Sequence, residues 1–435
     1  MSRTTQEAIY DAILSDEDAR ACRAIPESAC KEVPGNFLTL LMAQFLTKIG
    51  DALINPKVTL PWILTVVGAP AFFISWLVPI RESGSLIPQL VIASAIRQLK
   101  VRKWAWVVGS TLQAIAVLLM AAIAMFSRGE AAGWMLIGAL VLFSFARGMT
   151  SVAAKDVTGK TIPKNQRGRL NGFSASLAGF VTIGIGASLL FISFDAQSPA
   201  FYVAGLILAA VVWLCAVVVY AQVKEYAGET EGGKNGFAHA ISQLRIITED
   251  KQFLLFVLSR LCLLSTALSA PYYIAIAQEN ANVSAALLAF FVIASGCASL
   301  VSGPFWGRFA DSSSRMVMFW AAGLSALCGV GLYTVSVYWN DLLAITWFIP
   351  AIYFCQCIAH DGVRVGRKTY LIDMAGGEKR TSYVSVSNTL IGFALLGLSL
   401  IGVLSQWFSL AVVLLVLAVL SVVAMVLIFI LPEAE

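Results

Sequence analysis

Charge is what this sequence has least of. Only 13% of its 435 residues are Asp, Glu, Lys or Arg, against roughly a quarter in an ordinary soluble domain. Each such residue at a bilayer centre costs roughly 2.5 to 3.5 kcal/mol on an insertion scale, so a membrane-embedded chain is stripped of charge in long blocks. That is the pattern here, and it excludes a soluble enzyme as a reading of the whole chain. Cysteine is present but without a framework. Cys215, Cys262, Cys297, Cys328, Cys355 and Cys357 lie in apolar stretches and only Cys22 and Cys30 in a polar one, which excludes a secreted disulfide scaffold. Cys355 and Cys357 point about 200° apart on a helix, so no metal site is expected of them. The formal charge of +5 is too small to imply a nucleic-acid partner. No P-loop, HExxH or GxSxG pattern occurs, so neither an enzyme nor a bound cofactor is expected, and a self-contained ATP-driven pump is disfavoured.

What is abundant is apolar sequence, at 59% of residues with a mean hydropathy of +0.81. After a polar, acid-rich tail over residues 1–35, which holds no signal-peptide-like apolar run, twelve apolar stretches alternate with short polar ones. They predict membrane-spanning helices near 37–64, 70–97, 104–126, 132–158, 171–194, 200–222, 253–276, 284–308, 316–336, 342–369, 382–403 and 407–431. The first boundary is placed at Gly68-Ala69-Pro70 on turn chemistry. The fold class expected is an all-α polytopic membrane protein.

Loop charge sets the orientation. The 2/3 loop holds Arg97, Lys100, Arg102 and Lys103, the 4/5 loop Lys160, Lys164, Arg167 and Arg169, and the 10/11 loop Lys379 and Arg380, whereas the alternate loops offer only Arg128. Both termini are therefore expected in the cytoplasm, most simply in a bacterial inner membrane. The polar stretch 223–252 divides the spans six and six, giving bundles over 36–222 and 253–435. Phe237, Ile241, Leu244 and Thr248 recur there at helical spacing, as in a surface-lying helix or an unstructured linker. An ungapped offset of 213 residues aligns Arg102 with Arg315, Ala146 with Ala359, Lys155 with Lys368, Arg167 with Arg380, Ser174 with Ser387 and Gly179-Phe180 with Gly392-Phe393. Two homologous six-helix halves in parallel are the repeat of one large class of secondary transporter.

After span eight, Gly307-Arg308-Phe309-Ala310-Asp311-Ser312-Ser313-Ser314-Arg315 resembles the loop signature of the major facilitator superfamily, with Ser312 and Ser314 in place of an Arg and a Gly. In the first half only Arg102 and Lys103 of that signature remain. Phe145-Ala146-Arg147-Gly148-Met149 in span four is similar to the family's intramembrane Arg-Gly motif. The resemblance implies twelve helices in two pseudo-symmetric bundles. It also implies a conformational gate at Asp311 and the neighbouring basic residues, for which Arg308, Arg315 and Arg102 are the candidates; the alternative is that these charges only set topology.

Spans three, six, nine and twelve hold no interior charge and are expected to face lipid. Charge concentrates in spans one, two, four, seven and ten, where it is tolerable only against a cavity or a partner. Gln44, Lys48, Asp51 and Asn55 share one face of span one, with Lys48 and Asp51 either lining a cavity or pairing. Span two carries Pro79-Ile80-Arg81-Glu82-Ser83-Gly84 and Pro88, which reads as a broken or kinked helix at a binding site. Arg81 and Glu82 diverge by about 100°, so each needs an outside partner. Arg147 has His360 as its repeat mate, and His360 beside Asp361 is either a proton relay or a hydrogen-bonded packing residue. Arg260, near an end of span seven, is expected to snorkel to the surface.

The substrate and coupling set expected is thus Lys48, Asp51, Asn55, Arg81, Glu82, Arg147, His360 and Asp361. Its near-neutral to slightly positive balance favours an anionic or zwitterionic organic solute. The expected activity is secondary active transport by alternating access, driven by protons carried on Asp51 and Glu82, by a monomer in contact with membrane lipid. A lipid flippase and a non-transporting sensor that uses the acidic tail are the alternatives.

Overall fold

The computed structural model describes residues 32–87, 92, 95–96, 98–191, 198–227, 246–281, 283–374 and 379–433. All but the end of the acidic tail, and most of the proposed surface helix of the linker, lie outside the described residues. Every regular element among the described residues is helical. Span one is split into α1 (Val33–Leu53) and α2 (Thr59–Val66), and span two is α3 (Ile74–Leu86) behind a 3-10 turn at Ala71–Phe73. Spans three to six are α4 (Lys103–Phe126), α5 (Gly129–Thr161), α6 (Lys164–Phe191) and α7 (Pro199–Ala221). Span seven comprises α8 (Lys251–Cys262), a helical turn at Ser265–Leu268 and α9 (Ala270–Asn280). Spans eight to ten are α10 (Ala285–Ser312), α11 (Ser314–Tyr338) and α12 (Phe348–Met374). Span eleven is α13 (Lys379–Leu398) running into a 3-10 stretch at Ser399–Gln406, and span twelve is α14 (Leu410–Ile430).

Local chemistry explains the breaks. Pro56 has no N–H to give, and the residue before a proline is driven out of helical geometry. The Asn55 side chain accepts the Lys57 N–H at 2.9 Å and its carbonyl accepts from Val58 and Leu60, so the backbone groups freed at the break are satisfied. Gly68, at φ +73°, makes the turn between spans one and two in a conformation that costs glycine nothing. Span two corrects part of an expectation: α3 runs without a break through Pro79 and Gly84 to Leu86, while Pro88 lies outside the described residues. Neighbouring helices support it there. The Ser83 hydroxyl donates to the Gly392 carbonyl at 2.8 Å, and Gly84 lies so near Ser144 that a Cβ there would sit 2.6 Å from the serine Cβ. Proline is tolerated in a membrane helix under such support, and the glycine serves close packing.

Eight segments among the described residues are long and apolar enough to cross a membrane by composition; spans one, two, five and ten are not among them. Spans one and two are split or short, and span ten carries charge through its middle. Large apolar side chains lie exposed along α4, α7, α11 and α14, for example Leu118, Val211, Leu327 and Val426. Those are the uncharged spans, now on the perimeter.

The two halves meet through α6 against α10 and α3 against α13. A Cβ on Gly179 would lie 2.9 Å from Leu300, and one on Gly392 would lie 2.8 Å from Ile87. Each residue of the second contact is its counterpart in the first displaced by 213 positions, so the repeat read in the sequence is also a repeat of contacts. Thr65 and Gln278, themselves 213 apart, hydrogen-bond across the halves at 3.0 Å and so lie close to the pseudo-twofold axis.

The apolar core is distributed unevenly along that axis. At the end remote from the chain termini one cluster joins both halves, with Trp62, Leu77, Phe143 and Trp213 from the first and Tyr273, Phe291, Tyr353 and Leu414 from the second. At the terminal end two separate clusters form, one around Phe37, Trp106 and Tyr220 and the other around Phe253, Met318 and Tyr370. The bundles are sealed together at one end and divided at the other.

At Gly186 an added Cβ would fall 2.7 Å from Ile293 and 3.0 Å from its backbone nitrogen, whereas Gly184 faces open space. Gly186→Val is expected to push α6 off α10 and destabilise the protein by about 1–3 kcal/mol. Gly184→Ala should not lower stability. Thermal unfolding of the two purified variants in one detergent checks both.

Candidate functional site

A cavity of about 330 Å³ lies where the halves meet, lined from spans one, two, seven, eight and ten. Its floor is charged. Asp51 on α1 accepts from Arg81 on α3 at 3.1 Å and, through its other oxygen, from Arg147 on α5. Arg81 also lies 4.8 Å above the Phe143 ring, a cation–π contact that compensates lost hydration. One carboxylate thus bridges two guanidiniums from different helices, and the partner of Asp51 is not Lys48. Lys48 turns away into a second cavity of about 290 Å³ inside the first half, which Arg147 also lines.

Lys57 emerges from the break in span one into the central cavity, and Glu82 faces it from span two. Among the described residues neither has an ion-pair partner within 4.0 Å. Asn55, Arg81, His360 and Asp361 line the same space, so of the eight substrate and coupling candidates only Lys48 and Arg147 lie elsewhere. Asp361 pairs with Arg364 at 3.1 Å. His360 has its Nδ1 at 3.4 Å from the Thr266 hydroxyl. That hydroxyl belongs to the interrupted part of span seven, as does Ser269, which with the Thr266 carbonyl accepts from the Gln356 amide at 2.7 and 2.9 Å. Arg260 does not snorkel. It is buried and donates to Ser387 and to Asn388 on α13, which replace the hydration it would otherwise seek at the surface.

Of the gate candidates, Arg102 and Arg315 are each tied within their own half. Arg102 pairs with Asp156 at 3.0 Å, while Arg315 holds Glu433 at 2.8 Å and the Leu431 carbonyl at 2.9 Å. Arg308 is exposed, and the side chain of Asp311 lies outside the described residues. Sequence reasoning passed over Glu225, whose fully buried carboxylate accepts the backbone N–H groups of Arg102 and Lys103 and the Lys160 ammonium at 2.7–3.0 Å. A carboxylate on the first N–H groups of α4 satisfies both hydrogen bonding and the helix dipole. It also passed over Lys57, whose signal was its place two residues after Asn55, just past Pro56.

Two halves of six spans, apolar on the perimeter and enclosing a charged cavity between them, define a multi-pass membrane protein of the transporter type. The sequence model of the major facilitator superfamily matches residues 40–393 and 261–435, and the chain belongs to that family. No curated protein sequence matches it significantly. Among solved structures, a POT family transporter in complex with a thioalcohol-conjugated peptide is similar with a TM-score of 0.72 at 11% identity, covering 94% of this chain and 97% of that one. A point mutant of the nucleoside transporter NupG gives 0.70 at 12%, covering 91% and 99%. The inward-open xylose transporter XylE from E. coli gives 0.64 at 12%, covering 93% and 97%.

Removing one member of a partly buried ion-pair network strands the others. Asp51→Asn should therefore destabilise the protein by roughly 2–4 kcal/mol, the partial exposure of the three groups reducing the full buried-pair cost. Adding Arg147→Met to Asp51→Asn should recover part of that loss. A double-mutant cycle on unfolding midpoints reads the coupling, and strict additivity would mean that the bridge is not energetically shared.

Proposed function

We propose that the protein is a secondary active transporter that carries a small anionic or zwitterionic organic solute across the membrane by alternating access, coupled to protons. The observation that carries this reading is the pair of opposite charges, Lys57 and Glu82, without ion-pair partners among the described residues and facing one cavity between halves that are sealed together at one end and divided at the other. At about 330 Å³ the space falls at the lower edge of small-molecule sites, which run from about 300 to 1,000 Å³. The solved neighbours, whose names refer to a nucleoside, a peptide and xylose, support a solute of this size. With the basic loops taken as cytoplasmic, the open end faces the cytoplasm.

In this mechanism a solute carboxylate binds Lys57, and Glu82 is the proton carrier. Asp51 is a poorer carrier than Glu82, because taking up a proton would require it to give up two guanidiniums at once. Protonating Glu82 removes the negative charge that competes with the solute for Lys57, so proton and anionic group load together. Release of the proton into the less acidic compartment restores that competition and expels the solute. The ligand-dependent difference between two packings of the halves drives the cycle.

The test is transport into liposomes with solutes found by thermal-shift screening of amino acids, small carboxylates and short peptides. A pH gradient is expected to drive accumulation by the native protein. Glu82→Gln should abolish accumulation while preserving exchange of internal for external solute, and Lys57→Gln should weaken solute affinity about tenfold or more, the loss of one charge-assisted contact. Accumulation that ignores the pH gradient would remove the proton from the mechanism.

A further inference from the structure

The second cavity, inside the first half, is not part of the central site and differs from it in charge. Its lining comes from spans one, three, four and six and includes three cations, Lys48, Arg147 and Lys155, but no carboxylate. The two nearest acids are committed elsewhere, Asp51 to Arg81 and Arg147 and Asp156 to Arg102. Lys48 and Lys155 have no ion-pair partner within 4.0 Å among the described residues. Hydroxyls complete the wall. Ser151 and Thr158 lie on the same helix as Lys155, and Tyr220 closes the space from α7 with its ring stacked on Trp106 at 3.8 Å. The Tyr220 side chain is 1% exposed, and its hydroxyl has no hydrogen-bond partner among the described residues.

A donor buried without a partner is destabilising, and cations gathered in one partly enclosed space repel one another. Both costs fall when an anion with several acceptor oxygens occupies the cavity. A neutral solute relieves neither, and a cation adds to the second. Lys368, the repeat mate of Lys155 on α12, lies within electrostatic range of it and adds to the positive charge around it.

We propose that this cavity is a binding site for a tetrahedral oxyanion, a phosphate group either free or on a lipid head group, held by Lys48, Lys155, Arg147 and the Tyr220 hydroxyl. The lining lies within one half, so the site is distinct from the central cavity between the halves. Phosphate oxygens take charge-assisted hydrogen bonds from ammonium and guanidinium groups at full strength, and about 290 Å³ is ample for the group.

The experiment is a thermal-unfolding titration of the full-length protein in detergent with inorganic phosphate, at constant ionic strength set by chloride. A parallel arm uses nanodiscs of phosphatidylcholine with and without phosphatidic acid. A saturable rise in Tm with phosphate is expected, with apparent affinity reduced about tenfold or more in Lys155→Gln and reduced several-fold in Tyr220→Phe. Lys57→Gln, which alters only the central cavity, should respond as the native protein does. Lys155 is exposed and Tyr220→Phe removes a single atom, so both variants should fold even where Lys48→Gln does not. Stabilisation by phosphatidic acid but not by free phosphate, lost in the same variants, identifies the head group as the source and upholds the site. The proposal is overturned if neither probe stabilises the protein, if the effect survives Lys155→Gln and Tyr220→Phe unchanged, or if it disappears in Lys57→Gln.

Discussion

One carboxylate organises the first half of this molecule. Asp51 lies between Arg81 and Arg147, so three helices are tied together at that depth by a network that leaves one positive charge in excess. At membrane depth an isolated guanidinium is among the most costly groups to bury. Each arginine is admitted only because Asp51 and, for Arg81, the Phe143 face replace its hydration. The consequence reaches past the three residues. With Asp51 engaged on the arginine side, neither Lys48 nor Lys57 finds it, and both cations are released toward cavities: Lys57 into the space between the halves, Lys48 into the space within the first half. The break at Asn55-Pro56 turns Lys57 away from the helix face that the other charged residues of span one share.

The pseudo-twofold symmetry is kept where packing demands it and abandoned where charge resides. The Gly179–Leu300 and Ile87–Gly392 contacts are images of each other, because helices that slide or rock as rigid elements need equal closeness on both sides of the axis. The polar positions are not images. At the 213-residue offset, Asp51, Arg81 and Arg147 correspond to Leu264, Ala294 and His360. The first half supplies the Asp51 network together with Lys57 and Glu82, and the second supplies the paired Asp361 and Arg364 with hydrogen-bonding groups such as Ser295 and Gln356.

The sequence made the spans, their pairing by repeat and the uncharged perimeter legible because each rests on a one-dimensional signal: the length of an apolar run, a fixed offset, the absence of charge. The membership of the central cavity was readable in outline, since charges at membrane depth must face water or partners, and Asn55, Arg81, Glu82, His360 and Asp361 do line it. Which charges pair was not readable. Lys48 lies one turn from Asp51 on the same helix, yet the arginines approach from two other helices, and sequence spacing says nothing about a third dimension. Pro79 misled for a related reason. Its tendency to break a helix is local, whereas Ser83 on Gly392 and Gly84 on Ser144, which support α3 as a continuous helix, are tertiary. Tyr220 gave no signal at all, for an aromatic in an apolar run reads as packing until its hydroxyl is seen to lack a partner.

The uneven core bears on how alternating access would run in this chain. At one end a single apolar cluster crosses the axis, and at the other two clusters stand apart. Reversing the openness therefore requires apolar surface around Trp62, Tyr273 and Tyr353 to part while new contacts form between the terminal-end clusters. Burial at roughly 25 cal/mol per Å² makes such an exchange nearly neutral only if the areas lost and gained are similar. The remaining bias then falls to the electrostatic groups at the opening, where Lys155 and Lys368 lie within range of each other on opposite halves. Like charges there oppose closure of the terminal end, so in the absence of a neutralising ligand the arrangement described here is the one the charges favour. In the proposed cycle, an anionic solute in the cleft would offset that repulsion at the moment when closure around it is needed.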